Sequence, residues 1–174
     1  MLAIRAARAD EFEKVRGFYH RLIDMMEGLE FHPRWEKFVY PADDFLHGSI
    51  ERGELYVGML GEEIAAAMVI NGEGADGYDS APWSVSAARG EFSVIHTLGV
   101  MPAYHGRGFA RELVAAAKGV ARGLGHKALR LDVLNGNLPA VRLYESEGFR
   151  FVSRVALFYE DTGLTDFLLY EYAL

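Results

Sequence analysis

The segment from residue 92 to residue 124 constrains the fold of this chain more than any other. Its first part, FSVIHTLGV at 92–100, is an apolar run that predicts a buried strand. From residue 109 onward apolar residues recur at helical spacing, and the turn between the two parts holds glycines at 106 and 108. A strand, a glycine-rich turn and a helix in direct succession bring backbone N–H groups and a helix N-terminus together, and both bind phosphate oxygens. The segment predicts either a phosphate-binding loop or an ordinary tight turn.

Two well-known phosphate-binding motifs do not fit this turn. No Gly-Lys-Ser/Thr follows it, as a P-loop requires, and Gly106 and Gly108 are not spaced as GxGxxG. Arg107 and Arg111 add positive charge nearby. The chain also lacks cysteine and the GxSxG pattern of serine hydrolases, so we expect no covalent acyl intermediate.

A second segment, NLPAVRLYESEGF at 137–149, follows the first along the chain. Asn137 is a favoured N-cap, Pro139 is tolerated in a first helical turn, and Gly148 can end the helix. Together the two segments resemble the GNAT superfamily of acetyl-CoA-dependent N-acetyltransferases. The acyl-CoA loop of that family, Gln/Arg-x-x-Gly-x-Gly/Ala, is matched from His105 to Ala110. The closing pattern of the family is matched at Asn137, Ala140, Tyr144, Gly148 and Phe149.

The resemblance implies a fold, a reaction and a co-substrate. We expect one domain over residues 1–174, an α/β fold with a mixed sheet of about six or seven strands flanked by about four helices. We expect direct transfer of the acetyl group of acetyl-CoA to an amine in a ternary complex, without a metal. The resemblance also assigns cofactor contacts to the strand backbone, to the loop and to the second motif: Leu98, Gly99, Val100, His105, Gly106, Arg107, Gly108, Phe109, Ala110, Asn137 and Tyr144.

His105 departs from the loop pattern, because the family has Gln or Arg at that position. A side-chain contact from His105 to the pyrophosphate is therefore not implied. Contacts from the backbone N–H groups of residues 106–110 do not depend on that side chain.

Tyr144 lies where the family has the acid that protonates the departing thiolate, a task that a neutral phenol can perform. The alternative is that its ring only packs the helix onto the sheet. Asn137 likewise either contacts the cofactor, as in the family, or serves only as a helix cap.

His96 is the candidate general base. An amine with an ordinary pKa of about 10.4 must lose a proton before it attacks. Strict alternation places His96 on the same strand face as Val94, Leu98 and Val100. The run IHTLGV resembles the H-x-L-A-V strand of arylalkylamine N-acetyltransferases, whose histidine is proposed to accept that proton through water. Other family members use a glutamate two residues earlier as the base, but this chain has Val94 at that position. The alternative is a buried core histidine without a catalytic role.

The other elements of the fold show weaker patterns. Helical patterns begin at Ala9-Asp10 and at Asp43, which can cap its helix, and glycine-rich residues 71–90 predict a mobile surface loop. Strand patterns occur at 2–7, 54–60, 63–70, 128–135, 150–158 and 166–173.

The acceptor would contact residues outside the two motifs, since family members bind it through the first helices, their connection and the late strands. These regions predict a small amine acceptor in an apolar or aromatic-walled pocket, because they hold Phe31, Trp35, Phe38, Tyr40, Tyr78 and Trp83. A protein N-terminal or lysine acetyltransferase, with an open groove for an extended peptide, is the second hypothesis. The third is a sensor domain that binds CoA without turnover.

Charge and composition exclude several other classes. The 174 residues carry a net charge of −7 and no cysteine, which argues against general nucleic-acid binding, disulfides and thiolate zinc sites. Residues 101–130 hold six Lys or Arg and one Glu, a net charge of +5 that begins at the glycine turn. No apolar run has the length of a signal peptide or a membrane span. We expect a cytoplasmic protein with no nucleic-acid or membrane partner. A homodimer is one possible oligomeric state.

Overall fold

A mixed sheet runs through the computed structural model, which describes residues 1–29 and 31–174. Its seven strands are β1 (Ala3–Ala6), β2 (Leu55–Leu60), β3 (Glu63–Asn71), β4 (Phe92–Val100), β5 (Ala128–Leu134), β6 (Arg150–Tyr159) and β7 (Gly163–Ala173). They lie in the order β1-β2-β3-β4-β5-β7-β6, and all neighbours are antiparallel except β4 and β5. The expected mixed-sheet architecture is confirmed.

Helices cover both faces of this sheet. One face carries α1 (Phe12–Met26) and α2 (Asp43–Glu51), and the other carries α3 (Phe109–Gly123) and α4 (Leu138–Ser146). Each helix lies where apolar periodicity predicted it, with one correction at the start of α2. Asp43 is its first residue and does not cap it, because Ala42 occupies the N-cap position.

β4 and β5 separate along their length, and this opening positions the site. Their parallel pairing joins only Phe92–Val94 to Ala128–Arg130. Beyond that point β4 stays paired with β3 as far as Val100, while β5 stays paired with β7 as far as Leu134. The carboxyl ends of the two parallel strands therefore face each other across a gap with their backbone groups free to bind a ligand.

A bulge in β4 reverses the alternation of its side chains. Thr97 and Leu98 lie opposite Met68 alone, and Thr97 has a φ of 50°. Tyr19 of α1 supports the bulge by donating its hydroxyl proton to the Thr97 carbonyl oxygen over 3.0 Å. Because of the extra residue, side chains two positions apart on either side of the bulge point to opposite faces of the sheet.

The bulge makes one prediction wrong, namely that His96 shares a face with Leu98 and Val100. The ring of His96 lies 6.2 Å from the ring of Phe45 on α2. Leu98 and Val100 instead pack into the cluster that contains α3. His96 therefore belongs to the α1–α2 side of the sheet, and periodicity could not show this because the bulge depends on a distant tyrosine.

Gly99 allows α1 to lie close to β4. A Cβ atom built at Gly99 would lie 2.4 Å from Leu22 Cδ2 and 3.4 Å from Trp35 Cζ3. Such a separation from Leu22 is too short for carbon atoms, so any larger residue would push the helix away.

Residues 71–90 are anchored to β7. The buried carboxylate of Glu171 accepts hydrogen bonds from the Ser84 N–H at 2.9 Å and the Val85 N–H at 3.0 Å. The same carboxylate pairs with buried Arg130 at 3.0 Å, and that guanidinium lies 4.3 Å from the centre of the Trp83 ring. These contacts argue against the mobile loop that the glycine content predicted.

Candidate active site

A cavity of about 640 Å³ occupies the gap between β4 and β5. It extends from the glycine turn before α3, past the start of α4, to the connection between α1 and α2. Almost every predicted site residue lines it: His96, Leu98, Gly99, Val100, His105, Gly106, Gly108, Phe109, Ala110, Asn137 and Tyr144. The structure thus brings the two sequence motifs and the candidate base to one place.

Arg107 is the predicted site residue that does not line the cavity. Its guanidinium carbon lies 5.5 Å from the centre of the Tyr104 ring and 5.0 Å from that of Phe109. Such contacts between a cation and aromatic faces hold the side chain against the outside of the turn. Arg111, in the first turn of α3, lines the cavity instead.

The glycine turn presents backbone to the cavity. Gly106 and Gly108 have φ values of 76° and 81°, which favour glycine, and no atom lies within 4 Å of a Cβ built at either position. The space above the turn is therefore open to a ligand, with the N-terminus of α3 directed at it. Phe109 is only 3% exposed because its ring packs in the core, so its backbone N–H is the part that a ligand can contact.

His105 ties this turn to the end of β4. Its Nε2 lies 3.0 Å from the carbonyl oxygen of Val100, and because a carbonyl only accepts, the imidazole donates. The departure from the family pattern therefore has a structural role: the side chain bridges the strand and the loop.

Asn137 and Tyr144 of the second motif stabilise α4 and also line the cavity. Asn137 caps α4 by accepting the Ala140 N–H at 3.4 Å. The ring of Tyr144 is 7% exposed and lies edge-on to Phe149 at 5.5 Å. Desolvation, together with the negative charge of Asp132, raises the pKa of Tyr144, so its hydroxyl stays protonated.

His96 is half-buried and neutral. Its Nε2 lies 2.9 Å from Asn71 Oδ1, which also accepts the Glu73 N–H at 3.0 Å. Since that oxygen accepts both contacts, Nε2 donates, and the ring nitrogen left to accept a proton is Nδ1. Burial lowers the pKa of His96 to about 4, against an opposing contribution from the backbone of Glu73. Its role as the base stays a prediction, and the lowered pKa makes its imidazole a poorer proton acceptor than that of an ordinary histidine.

Asp132 is a site residue that no sequence pattern singled out. It lies on β5, lines the cavity, and accepts hydrogen bonds on Oδ2 from the hydroxyls of Tyr78 at 2.7 Å and Tyr159 at 3.0 Å. Its Oδ1 has no hydrogen-bond partner within residues 1–29 and 31–174. Desolvation raises the pKa of Asp132, although the two tyrosine hydrogen bonds oppose the shift.

The signal for Asp132 in the sequence is slight. A lone aspartate in the strand pattern ALRLDVLN reads as a solvent-facing position of a half-buried strand. Only the fold shows that two distant tyrosines and a cavity surround it, because Tyr78 and Tyr159 come from the loop after β3 and from β6.

The predicted aromatic wall is present in part. Phe31, Trp35 and Tyr40 line the cavity. The other three aromatics do not line it: Phe38 is 66% exposed, Tyr78 orients Asp132, and Trp83 packs beneath Arg130.

Comparison with known proteins agrees with this geometry. Residues 11–149 match the model of the acetyltransferase (GNAT) family, which is well over half of the chain. The chain therefore belongs to the GNAT family of acetyltransferases, whose members transfer the acetyl group of acetyl-CoA to an amine, and the resemblance seen in its two motifs is confirmed.

Relatives match over shorter stretches, while solved structures match over the whole chain. The N-alpha-acetyltransferase RimI of Mycobacterium tuberculosis is 39% identical over 69 residues, which are 40% of this chain and 42% of that protein. An N-acetyltransferase from Staphylococcus aureus Mu50 superposes with a TM-score of 0.71 at 15% identity, covering 99% of this chain and 98% of that one. Arabidopsis thaliana NAA60 in complex with acetyl-CoA superposes with a TM-score of 0.69 at 20% identity, covering 100% and 99%.

Two further observations concern metals and membranes. Within the described part of the chain, no group of three or more His, Asp or Glu side chains is placed to hold a metal ion. Across the same residues, no helix has the length and apolar character needed to cross a membrane.

Proposed function

We propose that this protein transfers the acetyl group of acetyl-CoA directly to a primary amine of a small molecule. One observation carries the proposal: the glycine turn, the desolvated carboxylate of Asp132 and the hydroxyl-bearing Tyr144 all line one cavity. Asp132 and Tyr144 lie near enough for the negative charge of Asp132 to raise the pKa of Tyr144. A phosphate-binding turn, a proton acceptor and a proton donor are the parts that such a transfer needs.

The donor half of the cavity fits the phosphates and the pantetheine arm. The turn at Gly106 and Gly108 offers backbone N–H groups beside a helix N-terminus, and Arg111 adds a cation. Leu98 and Gly99 border the gap where β4 leaves β5, so their backbone groups are placed to hold the amide-rich arm. When bound, acetyl-CoA supplies an activated thioester carbonyl for the amine to attack.

Asp132 supports the acceptor half. A protonated amine carries the charge that a desolvated carboxylate binds, and Asp132 Oδ1 takes no part in the two tyrosine hydrogen bonds, which both end on Oδ2. Its raised pKa makes it a better proton acceptor than an ordinary aspartate. We assign to Asp132 the holding and deprotonation of the amine. His96 is the alternative base; burial lowers its pKa to about 4, and a neutral imidazole, unlike a carboxylate, does not balance the charge of a protonated amine.

Tyr144 completes the proton balance. The amine nitrogen forms a bond to the carbonyl carbon, the carbon–sulfur bond breaks, and the sulfur leaves as a thiolate. Tyr144 donates its hydroxyl proton to that thiolate and regains one from solvent or from the acceptor side. Because its pKa is raised, the phenol is protonated at neutral pH and so has a proton to donate when the thiolate forms.

A small acceptor is favoured over a peptide by one contact. The rings of Tyr40, from the α1–α2 connection, and Tyr159, from β6, lie edge-on with centres 5.4 Å apart. This contact bridges the two segments that would form the sides of a peptide groove. An extended chain would have to break it, whereas a small amine would not.

A panel of small primary amines and N-terminal peptides tests the proposal by thiol release from acetyl-CoA. We expect turnover with small amines, little turnover with peptides, and loss of turnover in Asp132→Asn and Tyr144→Phe. Turnover of peptides alone would favour the protein acetyltransferase. Binding of acetyl-CoA with no turnover of any acceptor would favour the sensor domain.

A further inference from the structure

The acceptor end of the cavity holds a second carboxylate. Asp161 lies in the turn between β6 and β7 and lines the cavity together with Asp132. Its Oδ1 is shielded from solvent and has no hydrogen-bond partner among the described residues. A shielded carboxylate oxygen without a partner costs free energy, so its position calls for a ligand that supplies a donor.

The charges of the cavity are divided between its two ends. Among the described lining residues, the one Lys or Arg is Arg111, which lies on α3 at the donor end. The two carboxylates lie at the other end, and Glu36 adds its negative charge near Asp161. An acceptor that enters this end therefore meets negative charge throughout.

Two tyrosines lie within reach of both carboxylates. The charges of Asp132 and Asp161 each contribute to a raised pKa of Tyr40 and of Tyr159. Desolvation raises the pKa of Asp161 and the charge of Glu36 adds to the shift, while hydrogen bonds from the backbone of Asp161 and Thr162 oppose it. The two carboxylates therefore act on the same pair of tyrosine rings within one cavity.

We propose that the acceptor carries two positive charges, so that Asp132 holds the amine to be acetylated while Asp161 holds a second cationic group at the far end of the molecule. The substrate class is then a diamine or an aminoalkyl guanidine with an apolar linker. This inference rests on the proposed function and names its acceptor.

The aromatic walls fit such a linker. Tyr40 and Trp35 line the same cavity as the two carboxylates, and their ring centres lie 6.4 Å apart. Methylene groups pack on aromatic faces, and a cationic group near them is further stabilised by the ring electrons. A substrate with a carboxylate in place of the second cation would meet Asp161 and Glu36 and be repelled.

The test compares diaminoalkanes of increasing chain length with monoamines of the same length. In the wild type we expect kcat/KM to be greater for the diamine, with an optimum at one length that spans the two carboxylates. Asp161→Asn should lower kcat/KM for that diamine roughly ten- to a hundredfold, the usual worth of a charged hydrogen bond, and leave the monoamine little changed. Glu160→Gln is the matched control, because it removes the same charge from the neighbouring exposed residue, which does not line the cavity.

Equal activity of wild type on matched diamines and monoamines would overturn the inference, as would an equal loss on both in Asp161→Asn. Calorimetric binding of the diamine separates this inference from the proposed function. A diamine that binds wild type, binds Asp161→Asn weakly and is never acetylated contradicts the proposed function and supports the second-charge site. Turnover of monoamines with neither binding nor turnover of any diamine contradicts the inference and leaves the proposed function standing.

Discussion

Tyr78 donates its hydroxyl proton to Asp132 Oδ2 over 2.7 Å, across 54 residues of sequence. This hydrogen bond joins the irregular segment after β3 to β5, the strand that carries Asp132. The same segment is anchored a few residues further along, where Glu171, paired with Arg130, accepts hydrogen bonds from the N–H groups of Ser84 and Val85. This anchoring helps to keep Tyr78 in place beside Asp132. A part of the chain that reads as a surface loop thus orients a group in the cavity.

Removing the Tyr78 hydroxyl should shift the pH dependence of the reaction. The Tyr78 hydrogen bond stabilises the Asp132 carboxylate and so lowers its pKa, which means that Tyr78→Phe raises that pKa. Since the ionised carboxylate is the active form, the acidic limb of kcat/KM should move to higher pH. Tyr159→Phe should move it in the same direction, because Tyr159 makes the second hydrogen bond. An acidic limb that stays at the wild-type pH in both variants would show that Asp132 does not titrate in catalysis.

Tyr144→Phe should separate binding from chemistry. The change removes one hydroxyl from a buried ring and leaves its packing against Phe149 intact. We expect kcat to fall roughly a hundredfold or more, the usual worth of a general acid, while the Kd of acetyl-CoA measured by calorimetry stays near the wild-type value. Unchanged thiol release across the amine panel would leave Tyr144 with a packing role only.

His96 and Asp132 can be distinguished as bases by the acidic limb of the pH–rate profile. If Asp132 is the base, His96→Gln should keep the limb while altering the rate modestly through the lost contact with Asn71. If His96 is the base, the same variant should abolish the limb, which in the wild type would then lie near its pKa of about 4. The profile measured on a single good amine decides between them.

Gly99→Ala should destabilise the fold through a steric overlap. The new methyl group would lie 2.4 Å from Leu22 Cδ2, so α1 must shift, at a cost of about 1–3 kcal/mol in the free energy of unfolding. Urea denaturation measures this cost, and in a double-mutant cycle Gly99→Ala should cost less in the Leu22→Ala background, where the overlapping atom is already absent.

Gly119→Ala is the control for that substitution. Gly119 lies within α3, and no atom is found within 4 Å of a Cβ built there. Alanine should raise stability by about 0.5–1 kcal/mol through helix propensity alone. A Gly99→Ala protein as stable as wild type would contradict the close approach of α1 to β4.

Local patterns in the sequence were sufficient for much of the fold. The strand at 92–100 and the helix that follows the glycine turn have the predicted positions, because apolar periodicity and glycine placement are properties of neighbouring residues. The cap at Asn137 is confirmed for the same reason.

The features that periodicity missed depend on contacts between distant segments. The bulge at Thr97 relies on the Tyr19 hydroxyl from α1, and it moves His96 to the opposite face from the one predicted. Asp132 becomes a desolvated carboxylate only once Tyr78 and Tyr159 are folded against it. Neither effect has a signature in the residues next to it along the chain.

The central claim is that Asp132 receives the acceptor amine in the cavity that also binds acetyl-CoA. The most direct measurement is kcat/KM of Asp132→Asn with the best amine of the panel, together with the Kd of acetyl-CoA for the same variant. We expect kcat/KM to fall roughly a hundred- to a thousandfold while that Kd stays near the wild-type value, because asparagine neither accepts the proton nor balances the charge of the amine. An Asp132→Asn enzyme that acetylates the amine as fast as the wild type would contradict the account.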